Sequence, residues 1–270
     1  MVASANRDLD SMTTQTRDCY NVPGYWDLAF SDETIPEADF LQAIAAQFSP
    51  RPVRSVLELG CGGGRQTLEM SKRGYSVTAI DRNPTCVKWT QRRINRCQRS
   101  ADVQCGEMAD FQLSKPVDLA HCLVNTFRHL TSEQSARRHL QCVAAALKPG
   151  GVYVLGFHLL PPDAAEIDCE RWTILKGKTR VTTTIRVLNF SRRSRIETVR
   201  FSLKVTTPRR ILRTATDHRL RIYRADQFRS LLRSVPELEL IGVYDFCYDL
   251  SEPLLLNDIL GDAVFVLRRK

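Results

Sequence analysis

No apolar run in this 270-residue chain approaches the roughly 18 to 20 residues that a membrane span needs. The opening stretch, MVASANRDLDSMTTQTRD, lacks the apolar centre of a secretory signal. These absences lead to the expectation of a soluble, cytoplasmic protein with no membrane partner. Among nine cysteines there is no Cys-x-x-Cys pair, so neither a zinc site nor a dithiol redox motif is written, and no metal is expected. Reduced thiols packed as small hydrophobes are the expected state. Acid is scarce relative to base: 30 Asp plus Glu face 39 Lys plus Arg, for a formal charge of +9. That excess permits acidic partners without requiring them. What is present, 43% hydrophobic and 26% charged residues, describes a globular chain able to bury a large core.

The hydrophobic period changes along the chain. Residues 1–19 are polar and aperiodic, and read as a flexible leader. Aromatic and turn residues follow in YNVPGYWDLAF, from Tyr20 to Phe30, and then a helix from about Glu37 to Phe48. From Val53 onward, short apolar strands alternate with helices: Val53 to Leu59, Ser76 to Ile80, Val103 to Gly106, Val117 to Val124 and Val152 to Phe157 are the strands. Helices are expected over Arg65 to Arg73, Pro84 to Arg99 and Ser132 to Leu147. Such alternation implies parallel pairing through right-handed crossovers, an open sheet covered on both faces. After Pro161-Pro162 the period becomes two: Thr179 to Leu188, Arg195 to Val205 and Arg210 to Arg221 read as an antiparallel meander. A helix at Ala225 to Leu232 and strands at Leu238 to Tyr244 and Ala263 to Leu267 return to the first pattern, the last two compatible with an edge hairpin. The expected organisation is therefore an α/β core at 20–165, an inserted antiparallel lid at 166–222 and closing elements of the core at 223–270.

The sharpest motif is Val56-Leu57-Glu58-Leu59-Gly60-Cys61-Gly62-Gly63-Gly64-Arg65, an apolar strand running into glycines and then a helix. Glycines allow a tight turn and a close approach of backbone to ligand. A dinucleotide fingerprint would need a third glycine at position 65, where Arg65 stands, and no Gly-Lys-Ser/Thr of a Walker loop follows. An oxidoreductase using a nicotinamide cofactor is disfavoured on that ground. The remaining pattern, acid-x-Gly-x-Gly-x-Gly on Glu58, Gly60, Gly62 and Gly64, resembles the first motif of class I S-adenosylmethionine-dependent methyltransferases. Three further landmarks stand in order. Val77-Thr78-Ala79-Ile80-Asp81 ends the second strand with an acid able to accept hydrogen bonds from ribose hydroxyls. Cys105-Gly106-Glu107-Met108 follows the third strand. Asn125-Thr126-Phe127-Arg128-His129-Leu130 follows the fourth, similar to the Asn-Ser-x-x-His-Leu of a subset of small members of the family.

The resemblance implies a Rossmann-like, doubly wound, mostly parallel sheet with S-adenosyl-L-methionine as cofactor. It places Glu58, Gly60, Cys61, Gly62, Gly64, Asp81 and Arg82 around the nucleoside, with Glu107 at the adenine amino group and Met108 on its ring. Leu123 and Asn125 would lie near the methionine and methyl end, with His129 as a candidate general base and His158 a further one. Tyr25 or Trp26 would cap the sulfonium, and Arg65 would pair with the cofactor carboxylate or a nearby acid. The meander is lopsidedly basic, with Arg171, Arg180, Arg186, Arg200, Lys204, Arg213 and Arg219 among its cations. Solvated strand edges or an acidic small-molecule acceptor explain this better than nucleic acid, because no aromatic-rich RNA module accompanies the charge. The lid is also a candidate homodimer contact. A nucleic-acid or protein methyltransferase, and a cofactor-binding regulator without catalysis, remain as alternatives.

Overall fold

The computed structural model describes residues 18–164 and 168–270, so the expected leader lies outside the described residues except for its last two positions. A single turn at Cys19–Asn21 leads into α1 (Pro23–Ala29), which Pro23 opens from the first helical position, where a missing N–H costs nothing. The sequence showed aromatics here but not the helix they share. The next helix, α2 (Thr34–Phe48), starts three residues earlier than the periodicity indicates, because Pro36 sits in the first turn. Then come β1 (Ser55–Leu59), α3 (Arg65–Lys72), β2 (Ser76–Asp81) and α4 (Pro84–Arg96), which is capped by the Asn83 side chain. This helix ends short of Arg99, since Gln98 takes a left-handed conformation (φ 52°). The core continues through β3 (Asp102–Cys105), β4 (Val117–Cys122), α5 (Glu133–Ala146) and β5 (Leu147–His158).

The antiparallel insertion comprises β6 (Cys169–Lys176), β7 (Thr179–Ser191), β8 (Ile196–Thr206) and β9 (Ile211–Arg221). The chain closes with α6 (Ala225–Arg233), β10 (Leu238–Tyr244) and β11 (Asp262–Arg269). Seven strands form the main sheet in the order β10-β11-β5-β4-β1-β2-β3, all running in one direction except β11, which is antiparallel to both its neighbours, β5 and β10. The order reverses between β1 and β4, and open α/β sheets bind ligands at the carboxyl ends of strands flanking such a point.

Both sheet faces are buried. Leu57, Leu59, Tyr153, Leu155 and Phe157 pack towards α5 and α6, while Val56, Val152 and Val154 pack against Phe40, Leu41 and Ile44 of α2. Alternate residues of β8, Val199, Phe201, Leu203 and Val205, join Cys19, Ala29 and Phe30 in a third cluster. The insertion is thereby packed onto the N-terminal aromatic segment, and Trp172 Nε1 donates to the Ala29 carbonyl at 2.8 Å. The intervening residues of the insertion strands, including Arg180, Arg186, Arg200, Lys204, Arg213 and Arg219, are exposed. Among the described residues no helix is long and apolar enough to cross a membrane.

Candidate active site

The turn after β1 carries three left-handed glycines, Gly60, Gly62 and Gly64, with φ of +75°, +54° and +76°. At Gly62 conformation alone demands glycine, since a Cβ would meet only Asp27 Oδ1 at 3.9 Å. At Gly63 space demands it: a Cβ would come within 2.5 Å of Asp27 Oδ2. The loop is tied to β2 by the Gly60 N–H, which donates to the Ile80 carbonyl, and by the Gly62 N–H, which donates to Asp81 Oδ2 at 2.8 Å. Asp81 Oδ1 accepts from the Asn83 N–H, also at 2.8 Å. Each carboxylate oxygen therefore has one backbone donor and spare lone pairs. Burial raises the Asp81 pKa, and these two bonds oppose the rise.

Beneath the loop lies a charged network that no local pattern announced. Asp27 on α1 accepts from the Gly63 N–H at 3.2 Å and pairs with Arg93 of α4 at 2.5 Å. Burial nevertheless pushes its pKa up to about 6. Glu58 is buried and accepts from Thr67 Oγ1 on α3 at 2.5 Å. Desolvation outweighs that bond and pushes its pKa up to about 8, so the carboxyl is largely protonated at neutral pH. Arg65 points to a neighbouring acid: its Nη2 donates to Glu37 Oε1 at 2.7 Å, and Gln66 Nε2 donates to Glu37 Oε2.

Above the loop are two adjoining cavities. The first, about 540 Å³, is lined by the Gly60–Gly63 backbone, Glu58, Arg65, Asp81, Arg82, Glu107, Met108, Leu123, Trp26 and Asp27. The second, about 700 Å³, is lined by Asn125, Arg128, His158, Trp172, Glu197, Tyr248 and Asp262, among others. Tyr20, Trp26, Phe30, Val124 and His129 line both.

Several expectations need correction. Tyr25 lines neither cavity and packs instead against the insertion cluster, whereas Tyr20, which precedes α1, lines both cavities. Gly64 caps α3 and does not line the first cavity, and Asn125 belongs to the second. Asn125 is left-handed (φ 60°), and its Oδ1 accepts from the His158 N–H at 2.8 Å. Arg82 and Glu107 stand 3.9 Å apart at an exposed rim. His129 Nε2 lies 3.1 Å from the Tyr20 hydroxyl, and burial pushes its pKa down to about 4, which makes it a weak proton acceptor. Sequence reasoning also missed Asp18, Cys19 and His218, whose ligand atoms lie within 4.8 Å of one another. Burial pushes the Cys19 thiol well above its ordinary range.

Residues 56–151, from β1 into β5, match the methyltransferase domain family. This segment is a class I S-adenosylmethionine-dependent methyltransferase domain. Glycine N-methyltransferase of Rattus norvegicus is 29% identical over 143 residues, 48% of this chain and 49% of that protein. The dTDP-3-amino-3,6-dideoxy-alpha-D-glucopyranose N,N-dimethyltransferase of Streptomyces fradiae is 24% identical over 193 residues, 71% of this chain and 72% of that one. A crystal structure of an S-adenosylmethionine-dependent methyltransferase from Clostridium acetobutylicum superposes with a TM-score of 0.74 at 15% identity, covering 93% of this chain and 99% of the other, a likeness of fold. The chain spans about half the length of the rat relative.

Proposed function

We propose that this chain transfers a methyl group from S-adenosylmethionine, seated in the first cavity, to an amine of a small molecule seated in the second. The observation that carries this reading is the pair of cavities meeting at one wall of Tyr20, Trp26, Val124 and His129. The first cavity fits the cofactor in size, since small-molecule sites run from roughly 300 to 1,000 Å³. Its donor set fits as well. Asp81 keeps lone pairs for ribose hydroxyls, Gly60, Gly62 and Gly63 bring backbone against the cavity without side chains, and Met108 offers a polarisable surface for adenine. Trp26 provides an aromatic face for the cationic end.

When bound, the cofactor supplies a methyl already activated on a sulfonium. The chain's own task is then alignment and exclusion of water, and holding two reactants in contact is worth as much as roughly 7 to 11 kcal/mol of barrier. An amine is favoured by the charge of the second cavity. Asp32, Glu33, Asp168, Glu170, Glu197 and Asp262 line it, against the single guanidinium of Arg128, which is paired with Glu197. An acidic acceptor, considered from the basic insertion, would meet this lining unfavourably, because the exposed Arg and Lys residues of β7, β8 and β9 stand on the opposite face of the sheet. Both curated relatives described above are N-methyltransferases by name. Methyl-labelled cofactor offered with glucosamine, glucose and glucuronate tests the reading. Label is expected on glucosamine, and label on glucose or glucuronate in preference to it would refute the amine assignment.

A further inference from the structure

We infer that His158 takes the proton that the acceptor amine must lose before attack, and that Asp262 positions the His158 ring for this; the inference rests on the two-cavity reading above. His158 is the last residue of β5 and Asp262 the first of β11, and the antiparallel ladder makes them direct partners. Directly opposed residues in such a ladder present their side chains to one face. His158 Nδ1 lies 2.6 Å from Asp262 Oδ1, and both residues line the second cavity. The carboxylate fixes the tautomer: Nδ1 carries the hydrogen, and Nε2 keeps the lone pair. Phe246 packs edge-on against the imidazole at 5.0 Å, and Asn125 holds the His158 backbone N–H. Asn125 follows Val124, which faces both cavities, so His158 is anchored to the loop nearest the shared wall.

None of the other four histidines pairs such a carboxylate with a place on the second cavity. His139 has both ring nitrogens engaged, by the Met108 carbonyl and the Tyr153 hydroxyl. His121 is buried beneath the first cavity, His129 shares Nε2 with Tyr20, and His218 stands 3.8 Å from its nearest carboxylate. His158 alone combines a carboxylate at hydrogen-bond distance with a place on the second cavity.

The step balances as follows. An ammonium drawn in by the carboxylates gives one proton to His158 Nε2, and Asp262 stabilises the imidazolium. The freed nitrogen lone pair forms the new C–N bond as the C–S bond breaks, and that pair of electrons stays on sulfur. His158 then releases its proton to water at the open side of the cavity, where its side chain is 38% exposed.

The test measures transfer of labelled methyl to glucosamine by wild type, His158→Gln and Asp262→Asn, with S-adenosylhomocysteine binding followed by calorimetry on each. His158→Gln is expected to lose about 100-fold or more in kcat, with KM for glucosamine changed by less than about threefold. Asp262→Asn is expected to lose less, on the order of tenfold, through misorientation of the ring, and imidazole is expected to restore part of the activity of His158→Gly. All variants are expected to bind S-adenosylhomocysteine as wild type does. A kcat for His158→Gln within about threefold of wild type overturns the inference, as does a loss of activity that merely follows a loss of cofactor-product binding. So does a wild-type chain that binds S-adenosylhomocysteine yet never methylates glucosamine. Absence of S-adenosylhomocysteine binding to wild type would instead overturn the cofactor reading itself.

Discussion

Replacing Glu58 by Gln is expected to remove a stability penalty that grows with pH. The folded-state pKa of Glu58 is about 8, against an ordinary value of 4.5, because the carboxyl is buried beneath the glycine loop and its bond from Thr67 only partly offsets desolvation. Between these values the folded chain holds a proton that the unfolded chain has released, so stability falls as pH rises, and the benefit is complete only below 4.5. Each pH unit in that window costs about 1.4 kcal/mol, and the interval from pH 5.5 to 8 therefore costs about 3 kcal/mol, an upper estimate for a buried group. Gln mimics the protonated acid and does not titrate. Asp27, whose pKa is raised to about 6, adds a loss of the same sign below pH 6, but it is common to both proteins and cancels in the difference. Urea unfolding of wild type and Glu58→Gln at several pH values in this range provides the assay. The variant is expected to gain on wild type steadily as pH rises, while parallel stability curves would refute the assignment of a protonated Glu58.

Other outcomes follow from the same geometry. Asp81→Asn removes charge-assisted hydrogen bonds of about 1.5 to 3 kcal/mol, so titration with S-adenosylhomocysteine should show affinity weakened about 10- to 150-fold. Gly63→Ala drives a methyl towards the Asp27 carboxylate, which Arg93 holds in place, and should cost about 1 to 3 kcal/mol in denaturant unfolding. His129→Gln should lower kcat by less than about fivefold, because the buried, neutral imidazole that contacts Tyr20 is a weak base; a far larger fall would restore it as the proton acceptor.

The alternation of strands and helices was legible because each element is specified locally, by period and by breakers such as Pro84 and Gly64. The glycine loop and Asp81 were legible for the same reason: a turn and a strand end leave short, contiguous signatures. What escaped is what tertiary pairing creates. Asp27 and Arg93 are 66 residues apart, and His158 and Asp262 are 104 apart, joined only by strand register. The aromatic segment shows the limit most clearly. Its composition pointed to a cap, but α1 rotates successive side chains by about 100°. Trp26 is thereby turned into both cavities and Tyr25 onto the insertion, while Tyr20, before the helix, reaches His129. The charge of the insertion is accounted for by strand alternation, as solvated strand edges. Strand alternation sends its Arg and Lys residues to solvent, and the second cavity receives carboxylates drawn from distant parts of the chain, Asp32 and Glu33 before α2 and Asp262 on the last strand.

A crystal structure of the chain grown with S-adenosylhomocysteine would bear most directly on the whole account. The nucleoside is expected in the 540 Å³ cavity, its ribose on the Asp81 carboxylate and its sulfur towards the wall formed by Tyr20, Trp26 and Val124. Density for the ligand at any other place, or none at saturating concentration, would contradict it.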